Sequence, residues 1–265
     1  MSLNKFEIQD GFQEITFELD KSNAFELVIK PNTQADVLVH LNGEGEASID
    51  VSLLKDAQLN LFYLNTSPAS KLVENYHLYR DSRLDLAYGD FNEGQCERTS
   101  DVYLKEKGSQ IYLKSASLVK SDRRLIYRFN HQAQHTFGNM ENFVVTLEKG
   151  TLSLHAVGRI EKNAANSETH QTTRVLNFNA TERASVFPQL FIDNNDVKAS
   201  HAESSGQVDP EQLYYLKSRG LSGDEAISLI VKGYLSSILE NIKNETIRET
   251  LLSSIERKVD EVCSR

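Results

Sequence analysis

The sequence predicts a mainly β body followed by a short α-helical tail. Up to about residue 205, short apolar segments alternate with polar residues in steps of two, which is typical of strands with one buried face. Beyond that point the apolar residues recur in steps of three and four, which is typical of helices. We therefore expect two parts: a β core over residues 1–205 and a C-terminal helical domain over residues 206–265.

Polar turn clusters precede many of the predicted strands, at 55–58, 80–83, 107–110 and 148–151. The strands that begin at Leu59, Leu84 and Ile111 follow one another at nearly constant spacing, and Leu152 begins about one and a half such repeats later. Short strands at a recurring interval suit a parallel β-helix. They suit a β-sandwich equally well, and the pattern alone leaves both open.

The tail carries the start and stop signals of separate helices. Asp209 is a predicted N-cap with Pro210 at the first helical position, and Gly220 is a natural residue to follow the helix end. Ser222 and Glu225 have the spacing of a capping box for a second helix. The apolar stripes comprise Ala226, Ile227, Ile230, Tyr234, Ile238 and Ile242 in the second helix, and Ile247, Leu251, Ile255, Val259 and Val262 in the third.

Composition and charge exclude several classes of function. The net charge is −9 and the basic residues are interspersed with acids, which argues against a nucleic-acid partner. No apolar run approaches the roughly 20 residues of a membrane span. The two cysteines, Cys96 and Cys263, form no metal-binding spacing and suit a reducing cytoplasm. Because no nucleophile triad, paired-carboxylate site or phosphate-binding loop is present, we expect a protein that is not an enzyme.

Two segments at the junction of body and tail carry a family resemblance. They read Phe-Pro-Gln-Leu-Phe-Ile-Asp-Asn-Asn-Asp-Val-Lys-Ala-Ser-His at 187–201, and Gly-Gln-Val-Asp-Pro-Glu-Gln-Leu-Tyr-Tyr-Leu-Lys-Ser-Arg-Gly-Leu at 206–221. Together with residues 128–158, they resemble the SufB/SufD family of iron–sulfur cluster assembly scaffolds. The resemblance implies a right-handed parallel β-helix. The helical N-terminal domain common in that family is expected to be absent or minimal here.

The resemblance also implies partners. In this reading the tail binds the SufC ATPase through Tyr214, Tyr215, Leu216 and Arg219. The β-helix pairs with a SufB-type scaffold or, in an ancestral-type arrangement, with a second copy of itself. An iron–sulfur cluster is then held transiently at the subunit interface, and the residues do not decide whether a flavin takes part.

His201 is the predicted cluster or metal ligand. The SufD branch typically ends its last β-helix strand with Cys-x-His, and this chain has Ala199, Ser200 and His201 there. Residues two apart on a strand share a face, so Ala199, His201 and Glu203 are expected side by side. Since only the imidazole and a carboxylate remain, a partner must complete the ligand set.

Other candidates carry less weight. Cys96 lies in a polar stretch predicted to fall between strands, where acidic neighbours would raise its pKa, and an inert thiol is favoured over a sulfide acceptor. His131 and His135 have a helical metal spacing in a segment predicted as strand and turn, so they are not expected to act together. A polysaccharide-active β-helix remains a remote alternative, because the chain lacks tryptophan and an export signal.

Overall fold

The structure, a computed structural model, describes residues 3–20, 24–147, 150–178, 183–240 and 242–263. These residues form a long series of strands followed by helices. The strands are β1 (Leu3–Ile8), β2 (Gly11–Glu18), β3 (Ala24–Ile29), β4 (Gln34–Asn42), β5 (Gly45–Leu53), β6 (Gln58–Asn65), β7 (Ser70–Leu78), β8 (Arg83–Asp90), β9 (Cys96–Leu104), β10 (Gln110–Val119), β11 (Asp122–His131), β12 (Phe137–Thr146), β13 (Thr151–Ile160), β14 (Ser167–Asn177), β15 (Arg183–Ile192) and β16 (Val197–Gln207).

The strands form a parallel β-helix. All odd-numbered strands lie in one sheet and all even-numbered strands in the other, and each pairs in parallel with the strand two places along the chain. Each coil therefore contributes one strand to each sheet. The coils lengthen along the chain, because cross-coil hydrogen bonds join residues 24 apart at Asn60–Asp36 and 31 apart at Asn142–Thr173. The β-helix is thereby confirmed, and the sandwich alternative is wrong.

A recurring left-handed residue turns the chain from the odd sheet into the even sheet. It stands one or two residues before the first residue of each even strand from β4 to β14: Asn32, Asp56, Asp81, Gly108, His135 and Asn166, all with φ between 53° and 79°. Asn, Asp and Gly tolerate this conformation best. At Gly108 a side chain would also collide with the Asp81 carboxylate one coil earlier. The predicted turn clusters at 55–58, 80–83 and 107–110 are these turns.

The interior is apolar in the early coils, and in the later coils the even sheet adds polar residues to it while the odd sheet stays largely apolar. Leu27, Ile49 and Leu61 are examples of the fully buried early core. In β10, β12 and β14 the inward residues include Ser115, Asn142 and Thr173, which bond to one another from coil to coil at 2.8 and 3.1 Å. Leu59, Leu84 and Ile111 occupy equivalent register positions, as their spacing predicted, whereas Leu152 lies in the other sheet.

The tail contains helices α1 (Pro210–Ser218), α2 (Gly223–Leu235) and α3 (Glu245–Cys263), with one 3-10 turn, Ser236–Leu239, after α2. The predicted caps are confirmed: Asp209 accepts from the Glu211 amide, and Ser222 and Glu225 form the capping box. Gly220 has φ +100°, and the Leu221 amide bonds back to the Leu216 carbonyl, which is a Schellman ending.

The apolar side of the tail covers the outer face of the even sheet. Ile247, Leu251, Ile255 and Val259 of α3 are buried against sheet residues that include Phe62, Phe91 and Leu118. The second predicted helix was too long, because α2 ends at Leu235 and Ile238 and Ile242 are buried beyond it. Among the described residues, no helix combines the length and apolar character needed to cross a membrane.

Candidate functional site

Within the described chain, no further coil is stacked on the last coil of the β-helix. Within the described chain, β15 pairs only with β13 and β16 only with β14, so each presents an unpaired backbone edge. Every residue of β16 except Val197 is exposed. An unpaired strand edge is a template for pairing with another chain. The end of this β-helix is therefore a candidate docking edge.

Register places His201 and Glu203 on the inner face of that coil. His201 lies opposite Gln171 and Glu203 opposite Thr173, and both of those partners are buried inside the β-helix. Since the pairing is in register, His201 and Glu203 continue the same inward columns. Here the columns meet solvent, because nothing in the described chain covers them.

Ala199 belongs to the same inward row, opposite Thr169. A cysteine at residue 199 would therefore stand next to His201 on this face. The inward positions of β15 are instead apolar: Ala184, Val186, Pro188 and Leu190 are half-buried, and Ile192 at the strand end is exposed. The open end thus has one polar half with an imidazole and a carboxylate, and one apolar half.

The described residues contain no group of three or more His, Cys, Asp or Glu side chains arranged to hold a metal ion. His201 and Glu203 therefore supply at most two protein ligands of this kind. A tetrahedral site needs further donors. Chemically, this coil can present a histidine nitrogen and a carboxylate oxygen to a metal that a second chain also ligates.

The outer face of the same coil is tied to the coil before it by polar contacts. His170 bonds Ser200 at 2.7 Å, and Lys198 bonds Glu168 at 2.7 Å. The lysine holds the pKa of the Glu168 carboxyl below its usual value, with His170 adding to the effect. His170 therefore helps to hold the last coil on the coil before it, a role that was not predicted from the sequence. The signal was its separation from Ser200, close to one coil.

Cys96 does not lie between strands, as was predicted, but is the first residue of β9 and points inward. Its sulfur is 3.7 Å from the Asn65 side-chain nitrogen. Burial raises the pKa of the thiol, and Asp90 raises it further, whereas Arg123 and Arg98 act in the opposite direction. The expected direction is confirmed, but the main cause is burial rather than its sequence neighbours. A buried thiol of raised pKa is a poor nucleophile.

Beside Cys96 lies a buried charged cluster that the sequence did not reveal. Arg98 is 1% exposed and bonds two carboxylates, Glu74 and, at 2.9 Å, Asp90. Its guanidinium also stacks 4.0 Å from the ring centre of Tyr88, whose hydroxyl donates to Glu74. Burial raises the pKa of Glu74, and Arg98 opposes that change. The only available signal was charged residues at inward strand positions, and alternation alone does not say which positions face inward.

The tail places its predicted partner-binding residues on the surface. Tyr214 is 77% exposed and Tyr215 is 58% exposed, and α1 has no buried residue. Arg219 caps α1 with its guanidinium 6.0 Å from the Tyr215 ring, and Leu216 is half-buried. Large exposed aromatic side chains beside an arginine are typical of protein-binding surfaces.

The other predicted pair, His131 and His135, is separated as expected. His131 is buried in β11 and bonds Thr136 at 2.8 Å, whereas His135 forms the left-handed turn before β12. Burial lowers the pKa of His131 to about 3. His131 is thus a neutral core residue.

Comparison with known proteins agrees with this architecture. Residues 19–234 match the family described as SUF system FeS cluster assembly, SufBD core domain. The chain is 33% identical over 186 residues to the iron-sulfur cluster assembly protein SufD of Bacillus subtilis, covering 68% of this chain and 42% of that protein. It is 25% identical over 115 residues to SufD of Escherichia coli, covering 43% and 27%. A SufBD family protein of Mycobacterium tuberculosis is 34% identical over 102 residues, covering 38% and 26%. The chain thus spans less than half the length of these relatives.

Proposed function

This chain belongs to the SufBD core family of iron–sulfur cluster assembly proteins, and we propose that it is a non-catalytic scaffold of the SUF system. Its open terminal coil joins a SufB-type scaffold, with pairing to a second copy as the alternative. Its helical tail, over residues 206–265, docks a SufC-type ATPase. Iron and sulfide are the cargo, and they assemble at the edge where the two β-helices meet.

The observation that carries the proposal is the inner row of β16. His201 and Glu203 stand at the end of buried columns, yet both are exposed and unpaired strand edges lie beside them. A second β-helix added at this edge would enclose both side chains and supply the missing ligands. Neutral imidazole and carboxylate both bind iron. Such a shared site would form only in the assembled complex.

The tail supports the ATPase part of the proposal. Its apolar side is already used against the even sheet, whereas Tyr214 and Tyr215 of α1 contact little of the chain. Lys114 of β10 also bonds Glu240 at 3.0 Å, and Asn244 bonds Asp36 at 3.1 Å, so the tail is tied to the sheet. Movement of a docked ATPase would therefore be passed to the β-helix.

The chain itself holds and positions iron and sulfide, while the ATPase hydrolyses ATP. We place this activity in the cytoplasm, where a buried free thiol such as Cys96 stays reduced. The relatives are named as assembly proteins, which is consistent with a scaffold role.

Docking of the ATPase is tested by replacing both exposed tyrosines of α1. Tyr214→Ala with Tyr215→Ala should weaken binding of a SufC-type ATPase at least tenfold, because interface aromatics often contribute 2 kcal/mol or more. Phe12→Ala, at an exposed aromatic residue of β2, is the matched control and should change nothing. Calorimetric titration gives both dissociation constants. Equal affinities for the tyrosine variant and the parent would contradict the proposed docking surface.

Pairing of the β-helices is tested by sedimentation. The chain should form a one-to-one complex with a SufB-type subunit, or a dimer when alone. A charge placed on the β16 edge, Ser204→Lys, should weaken whichever assembly forms, while Lys71→Glu on the far coils should not. A chain that remains monomeric with and without the SufB-type subunit contradicts the scaffold proposal.

A further inference from the structure

The outer face of the odd sheet changes character along the β-helix. In the early coils its lysines are neutralised by acids: Lys5 pairs with Glu26 at 2.6 Å, and Lys71 with Glu46 at 3.1 Å. In the last coils the outward positions of β13 and β15 contain no acidic residue. For a chain of net charge −9, this is an unusual stretch of surface.

Basic and aromatic side chains occupy that stretch and the neighbouring strand β11, whose outward row begins with one exposed acid, Asp122. We name it the arginine–phenylalanine face, and it comprises Arg124, Arg128, His155, Arg159, Phe187 and Phe191. Phe187 is 44% exposed and Phe191 is 45% exposed. Two contacts join the residue types: His155 stacks on Phe187 at 4.6 Å, and the Arg159 guanidinium lies 5.4 Å from the Phe191 ring centre.

The arginines of this face differ in how far they are neutralised. Arg128 pairs with Asp101 at 2.8 Å. Arg124 and Arg159 are exposed, and neither forms an ion pair with a described residue, although Glu97 lies opposite Arg124 in register. The pKa of His155 is lowered by burial and then by Arg124 and Arg128, which is consistent with a positive local field.

The geometry points to an acidic, extended protein segment as the occupant of this face. Arg124 and Arg159 lie roughly 20 Å apart, from six residues of strand rise and one strand spacing, which an extended segment of about six residues spans. Carboxylates near its two ends would meet the two arginines bidentately. Phe187 and Phe191 lie one strand further on, on β15, with Phe191 level with Arg159. Apolar side chains on that flank of the segment would cover the two rings, and aromatic residues beside arginines are typical of interface hot spots.

A nucleic-acid strand suits the face less well. Backbone-tracking grooves need many cationic contacts, and most of their binding comes from neutralised phosphates. Here two arginines are free of ion pairs with described residues, on a chain of net charge −9. The face is also separate from the inner row of β16, so its occupant and the proposed cluster site do not compete.

The test uses a library of random decapeptides displayed on phage and selected on the full chain. We expect the enriched peptides to contain Asp or Glu at both ends of an apolar stretch. The best one, synthesised with a fluorescent label, should bind saturably by anisotropy. Arg124→Glu with Arg159→Glu should weaken it at least tenfold, and Phe187→Ala with Phe191→Ala should weaken it while keeping its salt dependence.

The matched control is Lys30→Glu with Lys71→Glu, which changes the net charge equally on the early coils and should retain binding. Selection of no acidic peptide, or equal loss in the control, would overturn the proposal. So would a single-stranded oligonucleotide that displaces the peptide and binds as tightly. The Arg124→Glu with Arg159→Glu variant should still assemble with the SufB-type subunit, because neither arginine lies on the open terminal coil, which separates this inference from the proposed function.

Discussion

The middle and the end of the β-helix place polar side chains on the same inner face with opposite consequences. In the middle coils, Glu74, Asp90 and Arg98 are enclosed and bond to one another. At the end, His201 and Glu203 occupy the same kind of inward position and face solvent. An enclosed charge must find its partner within the chain, because unpaired burial is costly. An exposed one stays available to a second protein.

The largest expected effect comes from breaking the enclosed cluster. Arg98→Met leaves Glu74 and Asp90 buried without their cation, so the free energy of unfolding should fall by about 3–5 kcal/mol. Urea denaturation followed by circular dichroism measures the change. Arg83→Met is the matched control: it removes the exposed pair with Asp85 and should cost less than about 1 kcal/mol. Similar losses in both variants would mean that enclosure does not decide the energy of these pairs.

The reaction rates of a thiol in the middle coils and a thiol in the last coil test the same difference in enclosure. In a Cys263→Ser background, Cys96 should react with a maleimide only when the protein opens, because the thiol is buried. A cysteine introduced by Ala199→Cys should react at least a hundredfold faster, since residue 199 lies on the exposed strand β16. Mass spectrometry of timed, quenched samples gives both rates. Equal rates would show that the interior around Cys96 is accessible.

The buried histidine His131 is expected to make the stability of the protein depend on pH. Burial holds the pKa of His131 at about 3, against about 6.5 in the unfolded chain. Above pH 6.5 both states are neutral, and below it the unfolded state alone takes up the proton. Stability should therefore fall as the pH drops, by about 2 kcal/mol between pH 6.5 and 5.

The dependence on His131 is separated from other groups by comparing variants. His131→Gln should remove most of the difference in unfolding free energy between pH 6.5 and 5 that the parent shows. Chemical denaturation at each pH measures the change. A parent whose stability is constant over this range would contradict the assignment of His131 as a buried neutral residue.

Much of the fold was predictable because its signals are local. Asp56, Asp81 and Gly108 mark left-handed turns, and Ser222 and Glu225 mark a helix start. These depend on backbone preferences of single residues or short motifs.

The enclosed cluster could not be predicted in this way. Glu74 and Arg98 are 24 residues apart, and their contact arises only when neighbouring coils come into register. In β9, Glu97 points outward and Arg98 points inward. Because both rows contain a charged residue, the sequence does not indicate which row is buried. The inward row of β16 was predictable only because a resemblance identified the strand, and alternation then fixed the face of His201.

The smallest expected change in stability belongs to His201, and it carries the most information about function. His201→Ala removes an exposed side chain with little packing, so the free energy of unfolding should change by less than about 1 kcal/mol. Iron and acid-labile sulfide per assembled complex, measured after anaerobic reconstitution, should nevertheless fall severalfold, because the shared site loses its imidazole. Binding of the ATPase through α1 should persist. Ser200→Ala, on the neighbouring outward position, is the control and should retain the cargo. If His201→Ala retains as much iron and sulfide as the parent, the imidazole is not a ligand, and the open end serves only to pair the two β-helices.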